Sequence, residues 1–175
     1  HYPLRRQRQM CIRDRGKAFA LADSIVVLAA VTFPLTNGLG RPLGGWISDR
    51  IGRSKTMTLY FSLLGLCCIF LLIGSAYPAA FILLVTLIGL LWGPIFAFFP
   101  GIIGDNYGTR HATGNYGLTY TAKGWGGLFG GWVASYLAVK YGGFTVAIVL
   151  AAFLSFISAI LVNLKTLKRP TKKPG

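Results

Sequence analysis

Five long apolar runs, at about 20–47, 56–75, 78–103, 114–139 and 143–164, set the terms for this chain. A helix needs roughly 20 mostly apolar residues to cross a hydrocarbon core about 30 Å thick, and each run meets that length. Inside lipid the backbone must satisfy its own polar groups, which leaves helices or a closed barrel. Runs this long and this apolar are helical. The sequence therefore predicts an all-α, polytopic membrane bundle with about five transmembrane helices. Composition agrees where it decides something: only 13% of residues are charged and mean hydropathy is +0.59, whereas soluble domains carry about 25% charged residues.

Charge distribution separates two explanations of a basic chain. Eighteen lysines and arginines face four acidic residues, Asp14, Asp23, Asp49 and Asp105. In a soluble protein that excess would suggest nucleic acid, but here the cations gather at the ends of apolar runs, as membrane topology requires. The expected partner is the lipid bilayer, with no nucleic acid. Cys11, Cys67 and Cys68 have neither disulfide nor metal spacing, and the adjacent pair lies within an apolar run where thiols act as small hydrophobes. With no nucleotide-binding loop, metal cluster or nucleophile arrangement, neither enzymatic activity nor a cofactor is expected.

The connections between runs give an orientation. Residues 76–77 and 141–142 form tight turns, whereas 48–55 and 104–113 are polar and carry Arg50, Arg53, Lys55, Arg110 and His111. The positive-inside rule puts these two loops and the basic tail in the cytoplasm of a multi-pass cell-membrane protein. Five helices then leave the N-terminus outside, where the cations of residues 1–17 would be stranded. The chain is accordingly read as truncated. Residues 1–17 resemble translated adapter DNA and are set outside the fold, with a lipid-binding basic arm as the alternative. The bundle is taken as 18–165 and the cytoplasmic tail as 166–175.

One loop carries a signature. Residues 44–55 read GGWISDRIGRSK, which resembles the G-x-x-x-D-R-x-G-R-[RK] motif of the major facilitator superfamily through Gly45, Asp49, Arg50, Gly52 and Arg53. A glycine there allows close helix approach, and an aspartate at a helix end suits a neighbouring helix N-terminus. The motif occurs in that superfamily after helix 2 and again after helix 8. Four spans follow it here, so the resemblance implies helices 8 to 12 of twelve, with the N-terminal half of the transporter as a missing partner. Two further stretches, TNGLGRPLGGWISDRIGR from Thr36 and FFPGIIGDNYGTRHATGNYGLTYTAKGWGGLFG from Phe98, resemble the oxalate/formate antiporter family. That resemblance implies exchange or uptake of small carboxylates such as oxalate, formate or a monocarboxylate. It also implies substrate-site cations on helices 8 and 11, at the positions of Arg41 and Lys123. Phe96 and Tyr120 depart from the Trp- and Tyr-rich pattern of an oxalate-type site.

Depth points to the same two residues independently. Arg41 precedes Asp49 by eight residues, about 12 Å of helix, and Lys123 follows Thr113 by ten, about 15 Å. Both reach mid-membrane, where a cation costs roughly 2.5–3.5 kcal/mol. The spans from 24 to 164 hold no mid-depth carboxylate, so the offsetting anion is either a residue of the missing half or the substrate. Trp92 and Phe96 share one helix face, and Tyr120 shares that of Lys123. These aromatics either wall an anion cavity, with a tyrosine hydroxyl as donor, or make helix and lipid contacts. Pro42 and the glycines Gly38, Gly40, Gly44 and Gly45 thin the helix around Arg41, and Gly124, Gly126, Gly127, Gly130 and Gly131 do so beyond Lys123. Interrupted helices at mid-depth suit a transporter site.

The expected function is antiport of small organic anions by alternating access, with Asp49, Arg50, Arg53 and Asp105 latching the cytoplasmic side. Two alternatives stand beside it: proton-coupled monocarboxylate uptake on the same fold, and a non-transporting five-helix membrane subunit.

Overall fold

The computed structural model describes residues 23–107 and 112–163, so the basic leader, Arg110, His111 and the tail lie outside the described residues. Five helices make up this part: α1 (Asp23–Ile51), α2 (Arg53–Gly74), α3 (Pro78–Tyr107), α4 (Ala112–Tyr141) and α5 (Thr145–Asn163). Four of them, α1, α2, α3 and α5, are long and apolar enough to cross a membrane. The exception is α4, whose glycines, threonines and Lys123 dilute its apolar character. The expected helical membrane bundle is the fold observed.

Helix ends depart from expectation at the motif. The polar stretch 48–55 is not a loop, because α1 continues to Ile51 and α2 begins at Arg53. Polar residues beyond the hydrocarbon region simply continue both helices, and one residue makes the reversal. That residue is Gly52, with φ 97° and ψ 140°, a combination open in practice only to glycine. The Gly52 N–H donates to the Ser48 carbonyl at 3.0 Å, and its own carbonyl accepts from the Thr56 N–H at 3.1 Å and hydroxyl at 3.0 Å. Likewise α3 runs on to Tyr107, well into the stretch expected as a polar loop. The two short turns lie at 75–77 and 142–144; the first covers the expected 76–77, whereas Tyr141 still belongs to α4 and the second turn starts at Gly142.

Packing is strongest between α1 and α3 and between α2 and α5, with α2 also lying against α3. The α1–α3 contact is built from small residues on both sides. A Cβ added to Gly40 would strike the Leu90 carbonyl, one on Gly44 would strike the Pro94 ring, and one on Gly93 would strike the Asn37 carbonyl. Gly89 in turn takes Phe33 and Thr36. These pairs ascend together along both helices, so α1 and α3 run parallel. Pro94 is fully buried between the two glycines of α1. Lipid gives little drive to associate apolar helices, and close backbone approach supplies dispersion contacts instead.

Behind this pair, Met57, Tyr60, Leu64 and Cys67 of α2 form one stripe against Leu91, Ile95 and Phe98 of α3. Tyr60 meets Phe98 edge-on, with centroids 5.4 Å apart and planes at 85°. Phe156 of α5 seats on Gly65 of α2, and the Asn163 amide donates to the Thr58 hydroxyl at 3.0 Å. By contrast α4 touches α3 and α5 lightly and is exposed along most of its length. Close packing was expected at Gly45 and at the α4 glycines. Instead Gly45, Gly124, Gly126, Gly127, Gly130 and Gly131 have no described atom within 4 Å of an added Cβ. Gly45 lies about 100° around the helix from Gly44, and it is Gly44 that meets α3.

Candidate carboxylate site

The α1–α3 register decides where Arg41 falls. With Gly40 and Gly44 held against Pro94, Arg41 comes level with Phe96, its guanidinium carbon 5.9 Å from the ring centroid. Lys123 arrives from α4 and places Nζ 4.1 Å from the same centroid. Two sequence-predicted cations on different helices thus converge on one aromatic ring. Each cation–π contact contributes about 0.5–1 kcal/mol where exposed and about 2 when desolvated.

Local hydrogen bonds fix both side chains. Arg41 Nη2 donates to Asn37 Oδ1 at 3.4 Å, one turn back along α1. Lys123 Nζ donates to Tyr120 Oη at 2.9 Å, one turn back along α4, and lies 4.9 Å from the Tyr120 ring centroid. A phenol that accepts from an ammonium keeps its own O–H to give elsewhere. Trp92 packs edge-on against Phe96, centroids 5.9 Å apart at 77°. Tyr116 continues the aromatic row, 5.4 Å from Tyr120. All five predicted site residues therefore belong to one cluster: Arg41, Trp92, Phe96, Tyr120 and Lys123.

Between α3 and α4 lies a cleft of about 480 Å³. Trp92, Ile95, Phe96 and Phe99 line it from α3, and Tyr116, Thr119, Tyr120, Ala122, Lys123, Gly126 and Gly127 from α4. Arg41 is not among the lining residues and reaches the cluster along Phe96. Sequence reasoning passed over Ile95, Phe99 and Thr119. Helical spacing could have found them, since Thr119 is four residues before Lys123, Ile95 three after Trp92 and Phe99 three after Phe96.

At the D-R-x-G-R turn, Asp49 and Arg50 are exposed on the last turn of α1, with the Arg50 guanidinium 3.9 Å over the Trp46 ring. The Arg53 guanidinium lies where a Cβ on Gly101 of α3 would be. Gly101 was not singled out from the sequence, and it is the absence of its side chain that admits the arginine. The Asp105 backbone falls in the final turns of α3, while its side chain lies outside the described residues.

A geometry of paired cations among apolar helices, with a D-R-x-G-R turn beside it, can be compared with known families. The sequence profile of the Major Facilitator Superfamily matches residues 14–175. The chain belongs to the major facilitator superfamily. This is a superfamily of membrane transporters rather than enzymes, and the chain is accordingly a multi-pass membrane protein. Among curated relatives, an "Oxalate:formate antiporter" of Oxalobacter formigenes is 32% identical over 161 residues, covering 90% of this chain and 38% of that protein. An "Uncharacterized 38 kDa protein in 23S RNA operon" of Thermoproteus tenax is 31% identical over 145 residues, covering 83% of this chain and 38% of its own length. The chain thus spans well under half the length of the curated relatives it matches.

Proposed function

We propose that this chain is the C-terminal part, helices 8 to 12, of a secondary transporter that exchanges small carboxylates by alternating access. One observation carries the reading: Arg41 and Lys123 meet on Phe96, and neither is paired with a carboxylate among the described residues. Two cations at mid-depth are costly to leave unneutralised. A bound carboxylate lowers that cost, so the loaded carrier reorients and the empty one does so slowly. That asymmetry yields exchange. The similarity to an oxalate:formate antiporter supports the same cargo class.

In this reading Lys123 and the Tyr120 hydroxyl take the anion, Arg41 supplies the second charge, and Trp92 and Phe96 wall the site. Asp49, Arg50 and Arg53, with Asp105, form the cytoplasmic latch, and Gly45 and Gly52 belong to its turn. The chain sits in the cell membrane with both polar connections and its C-terminus in the cytoplasm. Proton-coupled uptake is the weaker reading, because the group one turn before Arg41 is the non-titrating amide of Asn37.

Counterflow of labelled carboxylates in vesicles holding the full-length carrier tests the proposal. Arg41→Ala and Lys123→Ala are each expected to slow exchange about 100-fold, equivalent to roughly 2.7 kcal/mol, at unchanged protein level. Wild-type rates in either variant would refute it.

A further inference from the structure

The two arginines of the D-R-x-G-R turn are used differently. Arg50 is exposed on the last turn of α1, with its guanidinium 3.9 Å over the ring of Trp46 on the same helix. Arg53 opens α2 and is half-buried. The atoms nearest an added Cβ on Gly101 are Nη1, Cζ and Nε of Arg53, so the charged head itself lies on the α3 backbone. Its starting point is fixed. Both polar groups of the Gly52 backbone are hydrogen-bonded, and Thr56, whose hydroxyl donates to the Gly52 carbonyl, is fully buried. Four residues after Gly101, one turn further along the same face of α3, comes Asp105.

A side chain at residue 101 would leave two ways out: α2 separates from α3, or the guanidinium leaves. Separation would open the packing of Met57 and Tyr60 of α2 on Phe98 of α3, all three buried, with the Tyr60 and Phe98 rings edge-on at 5.4 Å. Close-packed interiors resist such expansion. An arginine head, at the end of a stem with several rotamers, swings away at far smaller cost. Alanine is also a better helix former than glycine, so nothing within α3 itself opposes the substitution.

We infer that Gly101 is a positioning residue for the latch: its bare backbone seats Arg53 on α3, the helix that carries Trp92 and Phe96, while Arg50 takes no part in that contact. This inference rests on the latch of the proposed function and divides the work between its arginines. Gly101→Ala should therefore act as a deletion of Arg53 made from a different helix.

The test is a pair of double-mutant cycles in the full-length carrier, read as carboxylate counterflow in vesicles and as melting temperature in detergent. Gly101→Ala alone is expected to lower kcat about tenfold, within the coupling range of residues in contact, and to leave KM within about twofold of wild type. Placed on Arg53→Ala, it should lower kcat no further and should raise the melting temperature, since only the helix preference of alanine remains. Placed on Arg50→Ala, it should cost as much as it does in wild type. Additivity with Arg53→Ala in kcat, or in melting temperature where Arg53→Ala leaves no measurable exchange, would overturn the inference, as would equal coupling to Arg50→Ala. Absence of exchange by the wild-type carrier would overturn the transport reading alone, because the melting cycle still judges the seat.

Discussion

Phe96 owes its place to two neighbours it does not resemble. Its ring has Lys123 at 4.1 Å and Arg41 at 5.9 Å, and the Trp92 edge closes a further side. A π face holds a cation without neutralising it, which is what an anion site needs when empty. Phe96→Leu keeps an apolar side chain and removes the face. KM for a carboxylate should rise about fivefold, in line with about 1 kcal/mol of lost cation placement, whereas Phe96→Trp should stay within about twofold. Equal KM values for wild type and Phe96→Leu would show that the ring merely fills space. Arg41, Lys123, Tyr120, Trp92 and Phe96 were all legible from the sequence, because charge at mid-membrane is rare and helical spacing groups the aromatics. Gly101 was not legible. Its role is defined by the Arg53 guanidinium from another helix, and no local pattern in the sequence predicts that approach.

At the scale of the helix, the α1–α3 contact positions the site. Gly40 and Gly44 receive Pro94, and Gly93 receives the Asn37 carbonyl; a shift of one turn would displace Arg41 by about 5.4 Å along the helix axis and take it off the Phe96 ring. Gly93→Val should therefore damage both stability and function, since the obstructing atoms are backbone and cannot swing aside. A loss of about 1–3 kcal/mol is expected, read as a lower melting temperature in detergent together with weaker carboxylate binding. An unaltered melting temperature would mean that the helices are not in this register. The helices themselves were legible as apolar runs, and the two tight turns fell where small and aromatic residues meet polar ones. Their ends were less so, because polar residues at 48–50 and 53–55 extend both helices past the apolar limit. The glycines show the same limit. Composition says that a helix is thin, but only the neighbouring helix says on which side, so Gly45 and the α4 glycines meet no described atom while Gly89 and Gly93 carry contacts.

For the molecule as a whole, the uneven packing of α4 matters most. It brings Lys123, Tyr120 and Tyr116 to the cleft, yet Trp125, Leu128, Phe129 and Trp132 beside them are exposed, and the curated relatives are far longer than this chain. The site as described has walls on α3 and α4 and open space opposite. This chain reconstituted alone should exchange no labelled carboxylate above the rate of empty vesicles, while the full-length carrier does. Measurable exchange by the chain alone would place the whole transport path within these five helices. The single residue joining α1 to α2 carries a last mechanical consequence. Gly52 leaves a single residue of chain between two antiparallel helices, so a displacement of the end of α1 carries the start of α2 with it, and Phe156 on Gly65 links α2 to α5. Arg41 on α1 is thereby coupled to α5 by way of α2.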